Sequence, residues 1–197
     1  MLAAGVGRRF DRPEWKLLAP WRGRPLLDHT LATVDRSIDE GLVAEALVVL
    51  RAPAGGELAP LLARHRAKVL VAPRAELGMG ESLAAGFAAL PPGDAALVFL
   101  GDQPAVRLET VRRLVEGAGP DRLLRPRYRS DPSAPGHPAL VGREYWPLAR
   151  RAEGDTGLGP LFKAAGLRFE PVDVEGSNPD VDRQADLEKL ERDSSCA

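Results

Sequence analysis

At 197 residues and 21.2 kDa the chain is long enough for one core of ordinary size. Its 44% hydrophobic and 28% charged residues exclude disordered, collagenous and membrane classes. A formal net charge of -1 gives no support to a polyanion-binding surface, so no nucleic-acid partner is expected. The only cysteine, Cys196, excludes an internal disulfide framework, a Cys-x-x-Cys redox pair and a thiolate zinc cluster. Apolar runs such as Ala95 to Leu100 fall far short of the roughly 20 residues of a membrane helix. Arg8, Arg9, Asp11 and Arg12 interrupt the start as no signal peptide would. A cytoplasmic protein without a membrane partner is expected.

In chain order, short apolar runs predict strands at Ala44 to Leu50, Lys68 to Ala72, Ala95 to Leu100, Ala139 to Gly142 and Arg168 to Val174. Helical spacing predicts helices over Pro25 to Asp39, Gly56 to His65, Glu81 to Leu90, Leu108 to Gly117, Glu144 to Ala152, Gly157 to Ala165 and Ala185 to Arg192. This alternation implies right-handed βαβ units. The expected fold is a three-layer α/β/α, Rossmann-like domain with a mostly parallel sheet, spanning 1–197. Within it, 1–115 is expected to form a nucleotide-binding half and 116–197 an acceptor-binding half. Arg122, Arg125, Arg127 and Arg129 recur mostly at period two, which fits a solvated edge strand or, less commonly, a phosphate-binding face.

Ligand sites of such sheets lie beyond the carboxyl ends of the strands. Four loops there are unusual. Gly5 and Gly7 follow Leu2, Ala3 and Ala4, so backbone N–H groups can face an anion while Arg8, Arg9 and Lys16 add donors, the shape of a phosphate cradle. It is neither a Walker loop nor a complete dinucleotide fingerprint. Asp102, in the turn Gly101 to Pro104, follows an apolar run. With Asp180 or Asp182 it has the hard oxygen ligands that Mg²⁺ takes alongside water and substrate phosphates. A capping or turn role is the plain alternative for Asp102, and a solvated surface for the other two. His29 and His65 fall within predicted helices, whereas His137, in Gly136-His137-Pro138, opens a strand where a ligand-facing residue would stand. Gly154-Asp155-Thr156-Gly157 reads by itself as a helix cap.

Together these residues carry a resemblance that covers nearly the whole chain. Leu2-Ala3-Ala4-Gly5-x-Gly-x-Arg9-Phe10, then Lys16-Leu17-Leu18 and Gly23-Arg24-Pro25-Leu26-Leu27, are followed in order by five further motifs. These are Gly78-Met79-Gly80-x-Ser82-Leu83, Gly101-Asp102-Gln103-Pro104, Gly136-His137-Pro138, Gly154-Asp155-x-Gly157 and Asp180-Val181-Asp182. The series resembles the nucleotidyltransferases related to molybdenum cofactor cytidylyltransferase and guanylyltransferase, the MobA-like NTP transferases.

The resemblance implies a Mg²⁺-dependent transfer of CMP from CTP to the terminal phosphate of a molybdopterin-type acceptor, with release of pyrophosphate. Leu2, Ala3, Ala4, Gly5, Gly7, Gly80 and Ser82 would bind the nucleotide, with Arg9 and Lys16 on its phosphates. Asp102 with Asp180 or Asp182 would hold the metal, and His137 and Asp155 would face the acceptor. Arg9, Lys16 and Asp102 would carry the chemistry. Ala4, where guanylyl-transferring relatives have a second glycine, points to CTP. Contact with a molybdenum hydroxylase or its chaperone is implied as well. Alternatives are guanylyl transfer to the same cofactor, nucleotidyl transfer to a sugar phosphate, or an inactive nucleotide-binding accessory protein. Relatives carry several apolar residues before Leu-Ala-Ala-Gly, so Met1 to Ala4 is a stub where a strand of about five or six residues is expected. The expectation is a start upstream of Met1 in the gene or, failing that, a poorly ordered and weakly active chain with a slot at the sheet centre.

Overall fold

A computed structural model describes the backbone of residues 1–5, 7, 10 and 13–195, and the side chains of these except 13–15 and 193–195. A 3-10 turn, Pro13–Leu18, precedes a short antiparallel hairpin of β1 (Pro20–Trp21) and β2 (Arg24–Pro25). The hairpin feeds α1 (Leu26–Asp39), whose Leu27, Leu31 and Val34 recur at helical spacing and are buried; Gly41, at φ +70°, turns the chain after the helix. The alternation that follows is β3 (Leu47–Leu50), α2 (Leu58–Leu62), β4 (Lys68–Val71), α3 (Met79–Ala88), β5 (Ala95–Val98) and α4 (Leu108–Glu116). Next come β6 (Leu123–Tyr128), β7 (Ala139–Gly142), α5 (Trp146–Ala149), α6 (Leu158–Ala164), β8 (Glu170–Val174) and α7 (Gln184–Ser195).

Strand residues alternate between two helical layers. Val48 and Leu50 pack with Leu27, Leu31 and α2, and Leu124 and Leu140 pack with Leu114 of α4. From the opposite face, Val98, Leu123, Ala139 and Val141 meet Leu83 and Phe87 of α3, Trp146 of α5 and Phe162 of α6. Each fully buried Leu or Phe contributes on the order of 1.5–3 kcal/mol, so these two apolar faces hold the layers together. β3 and β4 pair in parallel, as do β6 and β8; β7 runs antiparallel to both β5 and β6. The arginine-rich segment is β6, an interior strand between β7 and β8, which corrects the edge-strand reading.

The two halves of the sheet meet at one residue. Leu2 bridges Val49 on one side and Leu100 on the other, both in parallel. Leu2 and Ala3 donate to the Phe99 and Val49 carbonyls, and Val49 and Gly101 donate to the Met1 and Leu2 carbonyls, all at 2.8–2.9 Å. At that level the slot expected from the short stub is closed. Below it lies a cavity of about 440 Å³ between β3 and β5, with Leu47, Ala95 and Leu97 among its walls. The Met1 amine stands at its edge, donating to the Leu47 carbonyl at 2.7 Å, and burial pushes its pKa down to about 5. Among the described residues, no helix is long and apolar enough to cross a membrane.

Candidate functional site

Four loops converge at the carboxyl ends of the strands, as the parallel topology requires. They enclose a pocket of about 400 Å³ whose walls include Leu2, Ala3, Ala4, Gly5, Gly7, Lys16, Ser82, Asp102, Asp155 and Asp182. Ala4 is buried against Val49, Ala72 and Ala75, which holds the loop close to β3. Among the described residues nothing hydrogen-bonds to the N–H groups of Ala4 and Gly5, so both are free for an anion. Gly7 adopts φ +62° and its carbonyl accepts from Phe10, turning the loop back on itself. Arg9 lies outside the described residues.

The 3-10 turn delivers Lys16 into this pocket. Its side chain is buried, and Nζ donates to Asp102 Oδ2 at 2.7 Å and Asp182 Oδ1 at 2.9 Å. Burial works against its charge, but the attraction and hydrogen bonds of the two carboxylates outweigh it and hold the pKa above the ordinary lysine value. Residues 86 and 166 positions apart are thereby brought to one point. Asp182 is positioned by Val181, which is buried with Phe10, Leu26 and Leu187 and whose N–H donates to the Asp102 carbonyl at 3.0 Å.

Asp180 takes a different partner. Its Oδ1 accepts from Gln103 Nε2 at 2.6 Å, and it is not among the walls of the pocket. Burial, with the nearby Asp102 and Asp182 charges adding to it, raises its carboxyl above the usual range despite that bond. Gln103, buried, also accepts from Asn178, so the two acidic loops are tied through an amide that sequence reading saw only as part of a turn motif.

Gly80 and Ser82 separate in role. Ser82 lines the pocket, whereas the Gly80 N–H is spent on the Gly154 carbonyl at 2.7 Å. A Cβ at Gly80 would meet Glu153 O at 2.6 Å, and one at Gly78 would meet Gly154 C at 2.2 Å. The two glycines therefore let the start of α3 pass against loop 153–155 at backbone contact. Glu81 reinforces the contact, with one oxygen on Arg74 and the other accepting from the Gly154 N–H at 3.4 Å. This loop sets Asp155 in the wall of the Lys16 pocket.

His137 is turned into the protein. Its Nδ1 lies 3.2 Å from the Val98 carbonyl, and its own carbonyl accepts from Tyr128 Oη at 2.8 Å and Asn178 Nδ2 at 3.3 Å. Burial pushes its pKa down to about 4, so the ring is neutral at pH 7. It is not among the walls of the Lys16 pocket.

No cluster of three or more His, Cys, Asp or Glu side chains arranged for a metal occurs among the described residues. Two carboxylates converging on one cation nevertheless fit a hard divalent ion that takes its remaining ligands from water and phosphates. Asp102 and Asp182 are those two. A pocket with free N–H groups at one wall, a lysine at its centre and two carboxylates beside it is suited to a nucleoside triphosphate with its metal.

Comparison with known proteins agrees. The MobA-like NTP transferase domain model matches residues 1–170. The chain belongs to this family of nucleotidyltransferases. It is 35% identical over 123 residues to the bifunctional protein GlmU of Aromatoleum aromaticum, a match covering 62% of this chain and 26% of that protein. The chain thus spans about a quarter of the length of the GlmU proteins it matches. It is also 31% identical to nicotine blue oxidoreductase of Paenarthrobacter nicotinovorans, covering 96% of this chain and 94% of that one. A solved nucleotidyl transferase from Methanothermobacter thermautotrophicus superposes with TM-score 0.72 at 27% identity, covering 98% of this chain and 94% of the other. The chain is a three-layer α/β protein of the nucleotide-diphospho-sugar transferase type.

Proposed function

We propose that this protein transfers CMP from CTP to the terminal phosphate of a molybdopterin-type acceptor, with Mg²⁺, releasing pyrophosphate. The observation that carries the reading is Lys16 clasped between Asp102 and Asp182 in a pocket whose walls also offer the Ala4 and Gly5 N–H groups. An acceptor phosphate is already ionised at neutral pH, so no general base is needed. Catalysis is then alignment and charge neutralisation. The neutral, inward-turned His137 suits that account, since the reaction asks no proton transfer of it.

In this reading the N–H groups of Ala4 and Gly5 bind phosphate oxygens, and Lys16 neutralises charge at the α-phosphate with Arg9 as a second cation. Asp102 and Asp182 would hold Mg²⁺, which when bound supplies charge neutralisation for the departing pyrophosphate. An acceptor oxygen attacks the α-phosphorus in line, the bond to the bridging oxygen breaks, and pyrophosphate leaves with that electron pair. Residues 1–115 supply most of the nucleotide side, with Asp155 and Asp182 reaching into it from 116–197, the half that serves the acceptor. CTP is preferred over GTP in this reading because Ala4 stands where guanylyl-transferring members of the family carry a second glycine.

The test is pyrophosphate release with each of the four ribonucleoside triphosphates and Mg²⁺, with and without molybdopterin containing molybdenum. Release with CTP that depends on the pterin is expected. Release only with GTP would overturn the choice of base, and no release with any triphosphate would overturn nucleotidyl transfer itself.

A further inference from the structure

A second pocket, of about 510 Å³, has Gly159 in its wall and a different electrostatic character. Arg125, Arg127, Lys163 and Arg168 line it, and no aspartate or glutamate does. Arg127 is neutralised by a bidentate pair with Asp173 at 2.6 and 2.8 Å. The other three have no carboxylate partner among the described residues.

Arg125 is the unusual member. It stands within the sheet on β6, its guanidinium 4.5 Å over the Phe169 ring, with Nε buried and without a hydrogen-bond partner. A partly buried cation with no counter-charge is costly, and proteins ordinarily pair it. Stacking on Phe169 holds the guanidinium plane and leaves its edge to bind an oxyanion in fork geometry. The space at that edge is kept by Gly159, where a Cβ would stand 3.7 Å from Nη1.

The pocket also adjoins the nucleotide site. Asp155 lines the nucleotide pocket, Gly157 abuts Met79 of the same pocket, and Gly159 abuts Arg125. Gly159 is four positions after Asp155, at most roughly 14 Å of chain.

We propose that the Arg125 pocket binds an oxyanion group of the second substrate, remote from the phosphate that attacks, and so fixes which acceptors are used. This rests on the nucleotidyl-transfer reading for the identity of the ligand, but its binding test does not. Inorganic phosphate is titrated calorimetrically into the Lys16→Ala chain, whose nucleotide pocket then presents the unpaired carboxylates of Asp102 and Asp182 and repels anions. One phosphate per chain is expected to bind, at least tenfold more weakly once Arg125→Met is added. Lys163→Ala and Arg168→Ala, at exposed positions outside the core, are each expected to weaken it several-fold without lowering the melting temperature. Absence of phosphate binding to Lys16→Ala, or equal binding after Arg125→Met, overturns the inference. In the otherwise unaltered enzyme, Arg125→Met is expected to raise the acceptor KM about tenfold and leave the triphosphate KM unchanged; an unchanged acceptor KM overturns the acceptor assignment. Failure of the unsubstituted chain to release pyrophosphate would instead remove the reaction while leaving the phosphate titration to decide the site.

Discussion

Lys16 illustrates how a single side chain can hold a site ready before its ligands arrive. Two carboxylates at 2.7 and 2.9 Å would repel each other without it, and its ammonium would be costly to bury without them. Asp102→Ala is accordingly expected to lower the rate of pyrophosphate release by at least 10²–10³-fold, the order found when one electrostatic contact to a transition state is lost. Its melting temperature should stay close to that of the parent, since Asp102 projects into the pocket; undiminished turnover would remove it from the metal site. Asp180→Asn provides the contrast. Asp180 is bonded to Gln103 and stands outside the pocket walls, so its loss is expected to cost less than tenfold, and a loss as deep as that of Asp102→Ala would reassign it as a ligand. The order of motifs made Lys16, Ser82 and Asp102 legible in the sequence. Choosing between Asp180 and Asp182 was not legible, because it depends on Val181 entering the core and on a buried amide 77 residues away.

At the scale of elements, the junction between α3 and loop 153–155 fixes how Ser82 and Asp155 face each other in the walls of the Lys16 pocket. Gly80 has backbone on its open side, so a methyl there displaces one segment or the other. Gly80→Ala is expected to destabilise the fold by about 1–3 kcal/mol, roughly 2–4 °C of melting temperature per kcal/mol at this size. It should also weaken triphosphate binding by shifting Ser82; scanning calorimetry and equilibrium binding check the two effects. The helices were readable to within a few residues because their apolar spacing is local. β6 was not. Its alternating arginines look like a solvated edge, yet Leu123, Leu124 and Tyr128 are buried, and the strand is covered on its second side by β8, where Leu124 pairs with Glu170. Pairing across such separations is a property of the assembled sheet, which local composition does not encode.

For the molecule as a whole, buried histidines tie stability to pH. Burial lowers His137 from an ordinary value of 6.5 to about 4. In the window between those values the unfolded chain takes up a proton that the folded chain refuses, so stability falls as pH falls. At about 1.4 kcal/mol per unit, His137 contributes on the order of 3 kcal/mol between pH 6.5 and 4. His29, also lowered by burial, acts in the same direction. Urea unfolding from pH 7 to pH 4 is expected to show a progressive loss, and His137→Leu should flatten it. A flat profile in the parent chain would contradict the burial of His137.

The single-residue bridge at Leu2 has a mechanical consequence. Strands β3 and β4 form one ribbon, β5 to β8 another, and four backbone hydrogen bonds around Leu2 rivet them together. Such a rivet opens as a unit. The amides of Leu2, Ala3, Val49 and Gly101 should therefore exchange with solvent deuterium in one shared event, faster than those in the centre of β6. The pivot of that motion lies one residue from Ala3 in the wall of the Lys16 pocket, so the breathing of the two ribbons would be felt as a change in that pocket's width.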